Sequence, residues 1–421
     1  MTDLMDPARS GTSIFSIGEP RLLRGLHQTD VIDLATHTAL NGPLPTLTLD
    51  ALVAACEAVD LAGRGGAGFP VARKLRSLAG SRPVVVVNGS ESEPCSRKDR
   101  ALLRHNPHLV LDGAKVVADA IGARRIRIAV HDEFTERAVQ HAIAQRPDGR
   151  TMQVHAVTGG FVAGEARAVI RALDGQPGLP SGRRILPTVR GVGGAPTLLS
   201  NVETFAHVAL LARLGPQGYA ACGTRNEPGT TLLTVSGAVA RPAVIEIPFG
   251  TTLGEVLAAA GARSPAAVVL GGFHGTWLAP QPATVLSRNG LQRVGATLGA
   301  GVLIVLDETT CALGELASAA AWLAAQSAQQ CGPCMFGLPA LADDVQRLAR
   351  GDASAGPVAQ RHARAVVGRG ACAHPDGASR FVTSGLALLG PEIESHRRHG
   401  NCGRAVQGQI GAPAAQRRAA R

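Results

Sequence analysis

A close pair of cysteines gives the clearest indication of chemistry in this sequence. Cys331 and Cys334 flank Gly332-Pro333, and Cys372 follows about one helical hairpin downstream. Cysteines at such spacing bind iron-sulfur clusters or zinc, or act as a redox dithiol. Clusters and structural zinc both normally take four ligands, whereas these residues supply three. The spacing therefore predicts a metal or redox site and leaves a degenerate site without metal as an alternative.

A glycine-rich loop over residues 63–70 is the second candidate for binding. Four glycines fall within residues 63–68 and match the weak pattern G-x-G-x-x-G. The loop follows a predicted helix and precedes the valine strand, which is the wrong order for a Rossmann dinucleotide site. Glycine still lets the backbone approach a flat or anionic ligand, and the next helix directs its positive end there. The alternative is a tight turn between two helices.

A third polar segment, residues 88–94, follows a run of four valines that predicts a strand buried on both faces. Ligands of open α/β sheets bind at the carboxyl ends of strands. Glu91 and Glu93 could accept hydrogen bonds there from ribose or ribityl hydroxyls. The alternative is a solvated acidic loop before a helix capped by Ser96.

The elements that position these segments fall into regions that differ in predicted secondary structure and composition. Strands alternate with helices up to about residue 229, which indicates an α/β sheet. A hairpin, a helix and a return strand follow, and then the chain becomes Ala- and Leu-rich and helical, as in a bundle. We predict five parts: an extended N-terminal arm over 1–45, an α/β domain over 46–229, a small α+β module over 230–300, a helical domain over 301–403 and a disordered basic tail over 404–421.

Composition excludes several classes of protein. The chain has 421 residues and a formal charge of +10, but aromatic residues are only 3% of it and the arginines are scattered, so we expect no nucleic-acid binding. No apolar stretch approaches the roughly 20 residues of a membrane span. Asp3 and Asp6 argue against a secretory signal. We expect a reducing, cytoplasmic location, with membrane association only through a partner complex.

The motifs together resemble the FMN- and NADH-binding flavoprotein subunit of NADH-quinone oxidoreductase, known as its F subunit, and the related subunits of soluble hydrogenases and formate dehydrogenases. The resemblance covers about residues 45–403 and keeps the family order. It is carried by residues 63–70 with Lys74, 88–94 with 98–100, 160–165 and 201–204, and by the cysteine region. It implies an α/β flavin-binding domain, a β-grasp (SLBB) module around residues 236–272 and a C-terminal helical iron-sulfur bundle.

The resemblance also implies cofactors and their ligands. NADH would stack on FMN near Phe69, assisted by Lys74 and Glu93, which would be the catalytic residues. Electrons would leave singly through an iron-sulfur cluster, because flavin converts two-electron into one-electron transfer. The implied FMN ligands are Gly63, Arg64, Gly65, Gly66, Asn88, Glu91, Gly164, Glu165, Asn201 and Thr204.

Departures from the family cluster on the nicotinamide side. The positions concerned carry Ser90, Phe161, Ala166, Leu186 and Arg183, where the family has an aspartate, a tyrosine, a second glutamate, an aromatic residue and a lysine. Each lost hydrogen bond or stacking contact would cost about 1–3 kcal/mol. We therefore expect FMN binding to be better preserved than NADH binding.

The resemblance favours a [4Fe-4S] cluster on Cys331, Cys334 and Cys372. The family's remaining ligand is replaced by Ala328, so Ser327, His374 or solvent would complete the cluster. We interpret His396, His399 and Cys402 as structural, since the family has a similar histidine and cysteine outside its cluster. The other cysteines have no partner spacing and are expected to be free: Cys56, Cys95, Cys222 and Cys311.

The leading hypothesis is an electron-transfer subunit working between NADH, or a substitute donor, and a ferredoxin-like or thioredoxin-like [2Fe-2S] partner. One alternative is a non-catalytic binding or scaffold protein, which Ala166 and Ala328 favour. Another is reverse electron flow, from a ferredoxin to flavin and an unidentified acceptor. The sequence does not set the direction.

Overall fold

The computed structural model describes residues 13–78, 82–182 and 185–412. The expected disorder at 413–421, the predicted role of Arg183 and the first residues of the N-terminal arm lie outside these ranges. The strands are β1 Ser13–Ser16, β2 Val84–Gly89, β3 Arg125–Val130, β4 Met152–Ala156, β5 Thr197–Asn201, β6 Gly223–Thr224, β7 Glu227–Pro228, β8 Thr230–Gly237, β9 Ala243–Pro248, β10 Pro265–Leu270, β11 Thr276–Leu278 and β12 Val302–Asp307.

Helices cover these strands and make up the regular structure after residue 311. They are α1 Leu34–Asn41, α2 Leu49–Ala58, α3 Val71–Arg76, α4 Lys98–His105, α5 Pro107–Ala120, α6 Glu133–Ala144, α7 Ala166–Leu173, α8 Val202–Ala220, α9 Leu253–Ala260, α10 Arg288–Gln292, α11 Ala312–Ala325, α12 Leu338–Ala349, α13 Ala355–Val366, α14 His374–Leu388 and α15 Gly390–His399. A π-helical turn, Pro333–Gly337, precedes α12.

The α/β domain contains a parallel sheet in the order β4-β3-β2-β5. One of its two interior positions belongs to the valine strand β2, whose first four side chains are buried, as the apolar run predicts. The sequence predicts a helix capped by Ser96, and the structure has two successive helices there, α4 and α5. Pro107 begins the second one because proline fits a first helical turn but lacks the N–H that would continue the first.

The β-grasp module is built on a mixed sheet in the order β1-β9-β8-β12-β10-β11. Strand β12 lies parallel to β8 and antiparallel to β10, so residues 302–307, which we assigned to the helical domain, belong to this sheet. Strand β1 runs parallel to β9 at the sheet edge, so the N-terminal arm is partly a strand of the module. Strand β1 has only four residues, too few for an alternation of apolar and polar side chains to predict it. Its pairing with β9 provides hydrogen-bond partners for its backbone N–H and C=O groups.

The helical domain consists of α11 to α15, in agreement with the predicted helical bundle. Residues 404–412 differ from the expected disordered tail, because Ile410 is buried and the backbone N–H groups of Gln407 and Gln409 donate to buried Glu315 at 3.0 Å. Backbone hydrogen bonds hold this segment. Because they do not depend on side-chain type, the sequence shows no apolar periodicity that would predict the packing. None of the helices in the described residues is long and apolar enough to span a membrane.

Candidate functional site

The glycine loop lies against the end of β5 and the start of α8. The Arg64 backbone N–H donates to the Thr204 hydroxyl at 2.9 Å, and a Cβ added at Gly65 would lie 3.3 Å from Cβ of Asn201. Gly66 has a φ of +101°, which favours glycine. The loop is thus a folded cradle of exposed backbone beside Asn201 and Thr204, and not only a connection between α2 and α3.

The predicted segment over residues 88–94 meets two other predicted segments, residues 160–165 and 201–204. Asn88 and Asn201 are register partners on β2 and β5, and the Asn88 side-chain amide donates to the carbonyl of Gly164 at 3.0 Å. A Cβ at Gly164 would collide with the Ser92 hydroxyl, so only glycine fits without displacement. Segments distant in sequence therefore converge at the carboxyl edge of the parallel sheet, where ligands of such sheets bind.

The two predicted glutamates of this segment have different surroundings. Glu91 accepts hydrogen bonds from the Asp99 and Arg100 backbone N–H groups and from the Arg100 guanidinium, all at 2.9–3.0 Å. Burial opposes its ionisation, but Arg100 and these hydrogen bonds hold the pKa of Glu91 below its usual range. Its carboxylate is engaged within the protein, and a direct contact with flavin stays a prediction.

Glu93 is buried against the β-grasp module. Both of its carboxylate oxygens accept from the backbone N–H of Phe273, at 3.1 and 3.2 Å. Burial raises the pKa of Glu93 to about 8, against the opposing effect of that hydrogen bond. A carboxyl group poised near neutral pH can exchange a proton during a reaction, as its predicted catalytic role requires.

Lys74 is also held in an unusual state. Its ammonium donates to the Leu199 carbonyl at 3.0 Å and to the Ser200 hydroxyl at 3.2 Å. Burial lowers the pKa of Lys74 to about 8. The ammonium lies 6.0 Å from the ring centroid of Phe69, a residue that is 43% exposed and available for stacking. Lys74 thus lies beside the cradle with a displaced pKa, and Glu93 has a displaced pKa where the α/β domain meets the β-grasp module.

The residues at which this chain departs from the family pattern near Glu165 offer few polar groups. Glu165 is used as the N-cap of α7, accepting from the Arg167 and Ala168 backbone N–H groups. Ala166 follows it and offers only a methyl group. Leu186 is 56% exposed and forms an apolar surface. Ala166 and Leu186 thus supply neither a carboxylate nor an aromatic ring at these two positions.

Three cysteines come together in the helical domain. Cys331 and Cys334 hydrogen-bond one another, and Cys334 interacts electrostatically with Cys372. The Ala328 backbone N–H donates to the Cys334 thiol, so a side chain at 328 would start next to the group. Burial raises the pKa of Cys334 to about 12. A cationic cluster core would offset that cost by stabilising the thiolates.

The candidates for the remaining ligand are unequal. Both ring nitrogens of His374 are engaged, one with the Leu323 carbonyl and one with His274, each at 2.9 Å. Ser327 is buried, and its hydroxyl donates to the Cys334 carbonyl at 3.5 Å. Ser327 can turn toward the cysteines more easily than His374 can.

An aromatic cluster joins the cradle side to the cysteine side. Phe161 follows Gly160 in the segment that meets Asn88, and its ring makes edge contacts with His274 at 4.7 Å, Trp322 at 5.3 Å and His374 at 5.6 Å between ring centroids. His374 is two residues after Cys372. Phe161, at the position where the family has tyrosine, is thus packed in an aromatic cluster between the two sites.

Sequence reasoning missed one further group of residues. Cys311, Glu392, His396 and Cys402 place one potential ligand atom each within 4.8 Å of the others. We expected these cysteines and His396 to be free or structural and did not single out Glu392. The i, i+4 spacing of Glu392 and His396 was a usable signal, but Cys311 lies too far along the chain for spacing to reveal it.

The residues present fit both implied cofactors. In the cradle an added Cβ at Gly63 or Gly65 would meet neighbouring atoms at 3.3 Å, and three thiols converge in the helical domain. The fold and these two sites define a flavoprotein oxidoreductase with an iron-sulfur domain. Family models agree: residues 56–210 match the Nuo51 FMN-binding domain, 232–272 the SLBB domain and 315–396 the NADH-ubiquinone oxidoreductase-F iron-sulfur binding region.

Whole-chain relatives extend this agreement. The chain is 31% identical over 386 residues to the F subunit of NADH-quinone oxidoreductase from Mycobacterium tuberculosis (strain ATCC 25618 / H37Rv), covering 85% of this chain and 87% of that protein. It is 28% identical over 416 residues to the F 2 subunit of the same enzyme from Rhizobium meliloti (strain 1021), covering 91% and 99%. The chain belongs to the family of NADH-quinone oxidoreductase F subunits.

A solved structure shows the same architecture. The crystal structure of an NAD+-reducing [NiFe]-hydrogenase in the H2-reduced state superposes with a TM-score of 0.79 at 29% identity, over 91% of this chain and 68% of that one. The predicted family and the succession of flavin-binding, SLBB and helical iron-sulfur domains are therefore confirmed. The individual ligand residues stay predictions.

Proposed function

We propose that this chain takes electrons from NADH, or from a substitute donor, and delivers them singly to an iron-sulfur partner protein in the cytoplasm. The observation that carries the proposal is the cradle beside Asn201 and Thr204, whose backbone geometry is intact. Bound FMN would supply the conversion from two-electron to one-electron transfer. The residues proposed to hold it are the loop glycines with Arg64, Asn88, Gly164, Asn201 and Thr204.

The chain's own groups would orient the donor and handle its proton. Phe69 offers an exposed ring for stacking beside the cradle, and Lys74 lies close enough to attract a phosphate or a carboxamide oxygen. Glu93, with its pKa raised to about 8, can hold or release a proton near neutral pH. The buried Phe161 cluster would place packed aromatic rings between the cradle and the cysteines.

The proposed cluster site uses Cys331, Cys334 and Cys372, with Ser327 or solvent completing it. Three thiolates and one weaker donor leave one iron more exposed to exchange than four thiolates would. Electrons would reach the partner, a ferredoxin-like or thioredoxin-like [2Fe-2S] protein, from this side of the helical domain. The partner's identity and the direction of flow belong to the same proposal and are tested with it.

An absorption spectrum of anaerobically purified protein, taken before and after NADH with flavin and iron analysis, tests the proposal. We expect a flavin band that bleaches with NADH and iron in excess of flavin. Gly65→Ala should lower flavin content, because the new Cβ meets Asn201. Gly390→Ala is the matched control, because Gly390 lies outside the flavin domain, its φ is not in the left-handed region, and a Cβ there meets no atom within 4 Å.

The alternative function is a scaffold that has lost NADH oxidation. The observation favouring it is the missing polar surface at Ala166 and Leu186, beside a Glu165 that is used as a helix cap. Protein that contains flavin but does not bleach with NADH, dithionite being the positive control, would point to another donor. Protein without flavin or iron would establish the scaffold.

A further inference from the structure

A second cluster of possible metal ligands lies at the opposite end of α11 from the three cysteines described above. Cys311 caps the N-terminus of this helix, whereas Cys331 follows its C-terminus. A helix of 14 residues is about 21 Å long at about 1.5 Å per residue. The Cys311 group is therefore separate from the proposed iron-sulfur site and draws on none of its cysteines.

His396 is oriented in the way that metal-binding histidines are. Its Nδ1 lies 2.6 Å from the Ala349 carbonyl oxygen, which can only accept, so Nδ1 carries the proton. Its Nε2 lone pair then faces the Cys311 sulfur at 3.4 Å. Metal-binding histidines commonly donate from the far ring nitrogen to a backbone carbonyl, which fixes the tautomer in this way.

Cys402 and Glu392 complete the arrangement from the other side. The Cys402 sulfur lies 3.7 Å from Oε1 of Glu392, and that oxygen also accepts from the Leu313 backbone N–H at 2.9 Å. Cys311, Glu392 and His396 are each at least nine-tenths buried. The cluster thus presents two sulfurs, one imidazole nitrogen and one carboxylate oxygen in an interior where each needs a partner.

Charge complementarity favours a divalent cation over a set of neutral hydrogen bonds. Two thiolates and a carboxylate carry three negative charges, so binding a divalent cation leaves a net charge of −1. The Arg404 guanidinium, 2.6 Å from Oε2 of Glu392, neutralises that remaining charge. The Gly314 N–H points at the Cys311 sulfur from the start of α11, where helix geometry stabilises a thiolate.

We propose that Cys311, Glu392, His396 and Cys402 bind a structural zinc ion. The donor set of two sulfurs, one nitrogen and one oxygen suits tetrahedral zinc, and all four positions come from the protein, as in structural sites. The ion would fasten the start of α11 to the end of α15 and to the segment that begins at Gly400. That segment includes residues 404–412, which pack against Glu315 of α11.

Elemental analysis of the full chain, purified with its cofactors under anaerobic conditions, is the primary test. We expect about one zinc per chain in addition to iron. X-ray absorption at the zinc edge should show two sulfurs at about 2.3 Å and two lighter ligands at about 2.0–2.1 Å. Absence of zinc from protein grown and refolded with zinc would overturn the proposal.

Variants distinguish this site from the iron-sulfur site. Cys311→Ser with Cys402→Ser should reduce bound zinc at least tenfold and leave flavin and iron unchanged, whereas Cys331→Ser should lower iron and keep zinc. His396→Ala should lose zinc, while His399→Ala, an exposed neighbour on the same helix, should keep it. Zinc that survives the double variant, or leaves with Cys331→Ser, would contradict the assignment.

A measurement on the unaltered chain covers the case in which these variants fail to fold. Cobalt exchanged for zinc should give thiolate-to-cobalt charge-transfer bands and the visible bands of a tetrahedral ion. A six-coordinate cobalt spectrum without thiolate bands would overturn the proposal. Neither result depends on flavin or on NADH oxidation, so failure here is distinguishable from failure of the proposed function.

Discussion

Both carboxylate oxygens of Glu93 accept a hydrogen bond from the backbone N–H of Phe273, at 3.1 and 3.2 Å, across the boundary between the α/β domain and the β-grasp module. The contact is close on both sides, since a Cβ at Gly272 would lie 2.6 Å from the Glu93 carboxyl carbon. The group proposed to handle a proton in the flavin site is thus positioned by the second domain. Packing of the β-grasp module against the α/β domain therefore affects the position of a residue with a proposed catalytic role.

The pKa of Glu93 makes stability depend on pH. Burial raises that pKa to about 8, above its unfolded value of about 4.5, so the folded state binds more protons between these values. Glu93 therefore costs no stability below pH 4.5, and the cost grows as pH rises to about 8. In flavin-free protein, Glu93→Gln should be more stable than wild type at pH 8.5 by on the order of a few kcal/mol, and by less at pH 5.5. Thermal unfolding of both proteins at the two pH values measures this; parallel pH profiles would refute it.

The buried lysine Lys98 should be essential for folding of the α/β domain. Its ammonium donates to Glu203 at 2.8 Å and to Asp99 at 2.9 Å, and the residue is 2% exposed. Lys98→Met would leave two buried carboxylates without their cation and should cost about 3–5 kcal/mol. The free energy of unfolding in urea, followed by circular dichroism, measures the loss.

Lys115 provides the control for that experiment. It pairs with Asp119 at the surface, where ion pairs contribute about 0–1 kcal/mol, so Lys115→Met should change stability little. Similar losses for the two variants would show that the Lys98 network is not what holds the domain.

Much of the fold was predictable because local patterns and burial agree. The valine run specified β2, and the alternation of strands and helices specified the parallel sheet. Strand β1 and the packed segment around Ile410 were not predicted. Both depend on backbone hydrogen bonds to partners more than 90 residues away, which side-chain patterns do not record.

The candidate site shows the same division. The loop glycines are recognisable because their spacing is local, whereas the convergence of Asn88 with Gly164 and of Cys311 with His396 depends on tertiary packing. Glu91 shows what local position does not reveal: it follows a strand, as expected of a ligand, and its carboxylate also accepts from Arg100, so its predicted contact with flavin stays a prediction. Spacing identifies candidate residue types, and burial decides which partner each one has.

Restoring a carboxylate on the nicotinamide side should improve use of NADH. The variant is Ala166→Glu. Ala166 is the first residue of α7, where the helix dipole favours a negative charge, so glutamate fits there. A hydrogen bond from a ribose hydroxyl to this carboxylate, worth about 1.5–3 kcal/mol, should lower KM for NADH about 10- to 150-fold. Steady-state reduction of an artificial acceptor measures the change. Ala166→Gln is the matched control and should give a smaller effect; equal KM values for the two variants would show that the charge is not used.

Restoring the family's cysteine at position 328 should strengthen the iron-sulfur site. The Ala328 N–H already donates to the Cys334 sulfur, so a thiol at 328 starts beside the other cysteines. Ala328→Cys should raise iron to about four per chain and prolong the visible absorption of the cluster in air several-fold, because four thiolates replace an exchangeable ligand. Ala325→Cys adds a thiol on the exposed end of α11 and should change neither value. If Ala328→Cys gains no iron and no lifetime over that control, the three cysteines do not form a cluster site of the family type.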